Sequence, residues 1–109
     1  DFIADTTVYK WTGSELVSYQ KISTNGARGM DSLTILGETY LAIAFHAEGR
    51  VSSGARVYKW IDGYFSEVQA LLGRGGINVH AFNIDGQPAL AVSNHWDGQT
   101  GLIDSVIFR

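Results

Sequence analysis

The sequence predicts an all-β fold: two β-propeller blade repeats of four antiparallel strands, with the propeller closed by homo-oligomerisation. Three observations predict it. The chain repeats itself, because Val8-Tyr9-Lys10-Trp11 returns as Val57-Tyr58-Lys59-Trp60, 49 residues later, and a worn third copy, Ile107-Phe108-Arg109, follows. Its apolar runs are too short for helices and are punctuated by Gly or Asp-Gly. Its composition, with 13 Gly, 1 Pro and 17% charged residues, suits many short strands joined by Gly turns.

The repeat extends well beyond the Trp motif. Without a gap, the two copies coincide at Gln20/Gln69, Gly26/Gly75, Ile35/Ile84, Gly37/Gly86, Leu41/Leu90, Ala42/Ala91 and His46/His95. Conservative pairs such as Leu16/Phe65, Ile22/Leu71 and Ile43/Val92 keep the same register. A unit near 50 residues is the period of propellers and solenoids, whose single units leave an apolar face uncovered and need neighbours.

In the central copy the strands fall at about 32–36, 40–46, 55–60 and 65–71, separated by Gly37, Gly49, Asp62-Gly63 and the glycines between 73 and 76. Residues 40–45 (Tyr-Leu-Ala-Ile-Ala-Phe) and 89–92 (Ala-Leu-Ala-Val) are continuous apolar runs, the pattern of strands covered on both faces. Val57-Tyr58-Lys59-Trp60 alternates instead, so Tyr58 and Lys59 face opposite ways. Buried inner strands with a more amphipathic outer pair describe a propeller blade; a stacked β-solenoid is the alternative. With positions A to D counted from the axis outwards, the single repeat domain 1–109 divides into C-D over about 1–26, A-B-C-D over 27–76 and A-B-C over 77–109. Both broken blades expose edges that pairing with further copies removes. Identical two-blade chains close only with an even blade number, so two to four subunits are expected. Nine candidate strands then compete for eight places, since 7–11 and 105–108 are the same C strand.

Composition bounds the partners. A net charge of −3, with eight Lys and Arg scattered singly, gives no basic stripe for nucleic acid. No apolar stretch approaches the roughly 20 residues that a membrane-spanning helix needs. With no Cys, disulfides, redox motifs and thiolate metal sites are absent. No nucleophile elbow, His-Glu-x-x-His or phosphate loop occurs, so the expectation is a non-enzyme without a cofactor.

The string Val-Tyr-Lys-Trp, an aromatic or Leu five residues after Trp, then Gln, Gly and a Phe/Leu-x-Ile-x-Gly turn leading into Tyr-Leu-Ala-Ile-Ala resembles the epilepsy-associated repeat, also called the EPTP repeat. Tyr9, Trp11, Leu16, Gln20, Ile22, Gly26, Ala27, Leu33, Ile35, Gly37, Tyr40 and Leu41 carry the resemblance. Tyr58, Trp60, Phe65, Gln69, Gly75, Phe82, Ile84, Gly86 and Leu90 carry it again. The resemblance implies an extracellular, non-catalytic β-propeller that recognises another molecule. The chain departs from the family where an acidic-aromatic pair is usual after Gly-Ala: it has Met30-Asp31 and Val79-His80. The usual family propeller of seven blades in a single chain is likewise one that identical two-blade chains cannot imitate.

Candidate ligand-binding residues lie in the connections from B to C. His46 and His95 end the two B strands, and each imidazole either satisfies loop backbone or offers a donor and an acceptor to a ligand hydroxyl. Asn94, His95, Trp96 and Asp97 in one copy, with His46, Glu48 and Arg50 in the other, combine amide, carboxylate, guanidinium and aromatic groups, the mixture that holds sugar rings. A scaffold role stands beside this reading, because Asp97-Gly98 is also a good turn. Repetition assigns Tyr9, Trp11, Tyr58 and Trp60 to packing between blades, and Gln20 and Gln69 to hydrogen bonding that belongs to the repeat. The expected function is a multivalent lectin that binds glycans. The alternative is an extracellular module that recognises a protein receptor.

Overall fold

A computed structural model describes residues 4–24, 27–45, 53–73, 76–94 and 106–108. Every regular element among them is a strand: β1 (Ala4–Trp11), β2 (Leu16–Thr24), β3 (Ala27–Ile35), β4 (Glu38–Phe45), β5 (Ser53–Ile61), β6 (Tyr64–Gly73), β7 (Gly76–Ile84), β8 (Gln87–Asn94) and β9 (Val106–Phe108). They form three antiparallel sheets of strand order β1-β2, β3-β4-β5-β6 and β7-β8-β9. The fold is all-β, with consecutive strands pairing as hairpins.

The two-residue turns follow from their sequences. Leu36-Gly37, Asp62-Gly63 and Asp85-Gly86 each begin with a residue at φ 51°, and the glycines that follow have φ of 79°, 90° and 78°. Positive φ at both central residues is what a type I′ hairpin requires, and its twist matches that of the strands. Leu36, expected at the end of a strand, is therefore in the turn.

The 49-residue repeat is also a repeat of backbone irregularity. A register shift between Val8 and Tyr9 in the β1/β2 pairing recurs between Val57 and Tyr58 in β5/β6. A second shift, between Ala27 and Gly29 in β3/β4, recurs between Gly76 and Asn78 in β7/β8. Bulges at matched positions add local twist at the same place in each unit. Strand β3 begins five residues before the expected 32. Its early residues Ala27-Arg28-Gly29 have no apolar alternation to announce a strand, and pairing with β4 across the bulge supplies the order.

Strand β4 is the most deeply covered: Ala42, Ile43, Ala44 and Phe45 are all buried, as the continuous apolar run requires. Its two faces serve two different seams. Toward the third sheet, Ala42 and Ala44 join Ala55 and Leu71 against Val79, Leu90 and Val92, with Leu33, Val57 and Ala81 at the margin. Three alanines leave little bulk, so β3 and β4 approach β7 closely. Toward the first sheet, Ile43 and Tyr58 close on Ile22, bordered by Val8, Leu41 and Phe65. The three sheets thus stack face against face in a flat body of 49 × 41 × 21 Å.

Candidate functional site

Of the sugar-binding candidates, His46, Glu48, Arg50, His95, Trp96 and Asp97 lie outside the described residues. Asn94 is the last residue of β8, with its Cα opposite Gly76. What the structure does place are the joints between sheets and the apolar groups left on the surface.

At the outer part of the first seam, the Gln20 side chain reaches from β2 to the main chain of β6. Its Nε2 donates to the Phe65 carbonyl at 2.9 Å and its Oε1 accepts from the Phe65 N–H at 2.9 Å. An amide so placed pairs both main-chain groups that Phe65, on the edge strand β6, turns away from β5. Beside it the Tyr19 hydroxyl donates to the Gly63 carbonyl at 2.6 Å. The Tyr19 ring stacks on Tyr64 at 5.1 Å and lies 6.1 Å from Trp60, which meets Phe65 edge-on at 4.9 Å. Lys10 Nζ stands 4.5 Å above the Tyr19 ring, a cation–π contact. Desolvation first, and then the Tyr64 hydroxyl, raise the Tyr19 phenol above its ordinary pKa.

At the inner part of the second seam, Asp31 of β3 accepts two main-chain hydrogen bonds. Its Oδ1 takes the Ser32 N–H at 2.9 Å, and its Oδ2 takes the Ala81 N–H of β7 at 2.8 Å. The bond to Ala81 and then that to Ser32 lower the Asp31 pKa, against a smaller opposing effect of burial. His80 Nδ1 lies 3.8 Å from the same Oδ2, but the imidazole is largely exposed and adds little. Gly29 sits one turn of the pleat away, where an added Cβ would overlap the Asn78 side chain and lie 3.1 Å from the Asn78 Cα. The residue after Gly-Met that departs from the family pattern is thus a bridge between blades.

The expectation for the repeated aromatics holds for one copy. Tyr58 is 5% exposed in the first seam and Trp60 is half-buried there, whereas Tyr9 and Trp11 are 57% and 64% exposed. Leu16, which corresponds to Phe65, is 62% exposed, and the Gln20 expectation of hydrogen bonding that belongs to the repeat is met at Phe65. A second apolar group lies at the end of the central sheet that carries its two tight turns: Leu36, Ile61 and Tyr64 are all exposed. No sequence signal marked this rim, since isolated apolar residues next to Gly read as ordinary turn neighbours.

Residues 15–61 match the EPTP domain. This is the family whose repeat the Tyr, Trp and Gln positions resemble, and EPTP domains are β-propeller repeats. The EPTP match covers β2, β3, β4 and β5, so it spans the last strand of the first sheet and the first three strands of the central one. The 49-residue repeat places β6 to β9 in the same order after it, outside the matched residues. No curated protein matches the chain.

Proposed function

We propose that the protein is a non-catalytic recognition module of the EPTP type, acting outside the cell, and that several copies close a propeller that binds another protein. The observation that carries this reading is the EPTP match over residues 15–61. The surface supports it: Leu36, Ile61 and Tyr64 present an apolar rim where the β3–β4 and β5–β6 turns share one end of the sheet. An apolar rim repeated around a propeller builds the kind of area, of order 1,000 Å² or more, that a specific protein interface needs. Protein recognition thereby takes precedence over the sugar-binding expectation, which rested on the connections after β4 and β8. Repetition by symmetry makes the module multivalent, so weak single contacts add up to useful avidity, with gains of roughly 10² to 10⁴.

The test is to screen the purified protein in parallel against an array of purified cell-surface ectodomains and an array of glycans. Saturable binding to an ectodomain that persists after enzymatic deglycosylation is the expected result. Binding that disappears on deglycosylation and is inhibited by free sugar would replace this reading with a lectin.

A further inference from the structure

The tight turns at one end of the central sheet bring apolar and acidic groups together. Leu36 is 97% exposed in the β3–β4 turn, and Ile61 and Tyr64 flank the β5–β6 turn, both exposed. The register that pairs Tyr40 with Lys59 continues to Glu38 beside Ile61, so Leu36, Glu38, Ile61, Asp62 and Tyr64 form one continuous patch. The central sheet already has a neighbour on each face, and Tyr64 is even stacked on Tyr19 of the first sheet, yet the patch stays open to solvent. It belongs to the turn end of the sheet, which face-to-face stacking does not cover. Resting on the protein-recognition reading above, we propose that this patch docks a basic segment of the partner protein, one in which a bulky apolar residue is flanked by Lys or Arg.

The apolar groups supply the surface to be buried, and charge identifies what buries it. The four hairpin turns of the described residues, at 12–15, 36–37, 62–63 and 85–86, each carry or adjoin an exposed carboxylate: Glu15, Glu38, Asp62 and Asp85. None of these turns contains a Lys or Arg. All four leave the sheets at the same end. Strands β3 and β7 run side by side in one direction, with Gly29 at Asn78 and Asp31 at Ala81, and so do β2 and β6, with Tyr19 at Gly63 and Gln20 at Phe65.

Two lysines lie near this end, and both are held. Lys59 Nζ is 3.9 Å from Glu38 Oε1 and 5.8 Å from the Tyr40 ring, and Lys10 Nζ stands over Tyr19. Glu15, Asp62 and Asp85 have no ion-pair partner among the described residues. The described arginines, Arg28 and Arg56, lie toward the opposite ends of β3 and β5. Asp62 and Asp85 alone would need no partner, since Asp suits the left-handed position of such a turn. Glu15 and Glu38 lie outside those positions, and Leu36 occupies one of them without that suitability. A basic segment answers both parts of the patch: its apolar side chain packs on Leu36, Ile61 and Tyr64, and its cations meet the unpaired carboxylates at the margin, where they steer the encounter.

Three labelled peptides of equal length test the patch by fluorescence anisotropy against the purified protein: one alternates Lys with Leu, one Glu with Leu and one Lys with Ser. Expected is saturable binding of the Lys–Leu peptide alone, weakened by salt, by about threefold in Asp62→Asn and by about tenfold in Leu36→Asn. Asn tolerates the left-handed position as Asp does, so both variants keep their turns. Glu67→Gln, which removes an exposed carboxylate in β6 opposite Tyr58 and away from the turns, should leave binding unchanged. An equal loss in Glu67→Gln and Asp62→Asn would reduce the effect to net charge and overturn the proposal. Equally tight binding of the Glu–Leu or the Lys–Ser peptide, or binding of none, would overturn it as well. Self-association of the protein that is lost in Leu36→Asn would give the patch to a second copy instead. The ectodomain screen separates the two readings: an ectodomain that binds and is not displaced by the Lys–Leu peptide leaves protein recognition standing and removes this patch from it. Absence of both ectodomain and peptide binding overturns both.

Discussion

Gln20 and Phe65, 45 residues apart, are joined by two 2.9 Å hydrogen bonds in which one side-chain amide answers both main-chain groups of a strand in the neighbouring sheet. The contact explains why a polar residue recurs with the repeat: an apolar residue there would leave the Phe65 N–H and carbonyl without a protein partner at the seam. Gln20→Ala should lower stability by about 1–2 kcal/mol, since partial exposure lets water replace some of what is lost. Denaturant unfolding checks it. A change within error would mean that the Phe65 groups are fully served by solvent.

Asp31 should make stability depend on pH in the acid range. Its pKa is lowered in the folded protein by the Ala81 and Ser32 N–H groups, so the unfolded chain binds the proton more readily. The stabilisation is therefore fully present above the unfolded carboxyl value of about 3.9 and is lost as pH falls through the lower folded value. The carboxylate is 37% exposed, which screens the effect to about 1 kcal/mol. Asp31→Asn should reduce stability by about that amount at pH 7, and the difference from the parent chain should close below about pH 4. A difference that persisted unchanged to pH 3 would mean that the carboxylate's charge is not what matters.

Gly29 tests how closely the central and third sheets approach. A Cβ there would collide with the side chain and Cα of Asn78, which holds the equivalent place one repeat later, and Asn78 is itself pinned by the bond from the Val79 N–H to its Oδ1 at 2.9 Å. Since backbone and a held side chain must both give way, Gly29→Ala should cost roughly 1–3 kcal/mol. The cost should fall in the double variant with Asn78→Gly, and a double-mutant cycle measures that recovery. No recovery would place the strain within β3 itself.

Much of the fold was legible because the repeat was. The tight turns, the doubly covered β4 and the division of Tyr58 from Lys59 all follow from residues whose type and spacing recur. What escaped were features that the two copies do not share. Asp31 bridges two sheets, but its counterpart is His80, so comparing copies could not mark it. The start of β3 escaped because Ala27-Arg28-Gly29 carries no alternation and is ordered by its partner strand. Tyr9 and Trp11 looked equivalent to Tyr58 and Trp60, yet among the described residues only the latter pair is covered by a neighbouring sheet. Identity in a repeat fixes which face a side chain occupies; whether that face is covered depends on the neighbour.

Leu36 shows that difference between copies at its sharpest. It is 97% exposed and held at φ 51°, while Asp85 occupies the same turn position in the next copy. A left-handed conformation is unfavourable for a Leu side chain by roughly 1 kcal/mol and much less so for Asn or Asp, whose short polar groups bond locally. Among the described residues nothing packs on the Leu36 side chain to offset that strain. Residues kept in unfavourable backbone regions at exposed tips are candidates for contact with a partner. Leu36→Asn should therefore raise the stability of the isolated protein by about 0.5–1 kcal/mol and weaken binding to any ectodomain found in the array screen by about tenfold. Thermal unfolding and surface-plasmon titration of the same variant measure the two effects. Greater stability with binding intact would remove Leu36 from the recognition rim, and lower stability would show that the turn needs its apolar side chain.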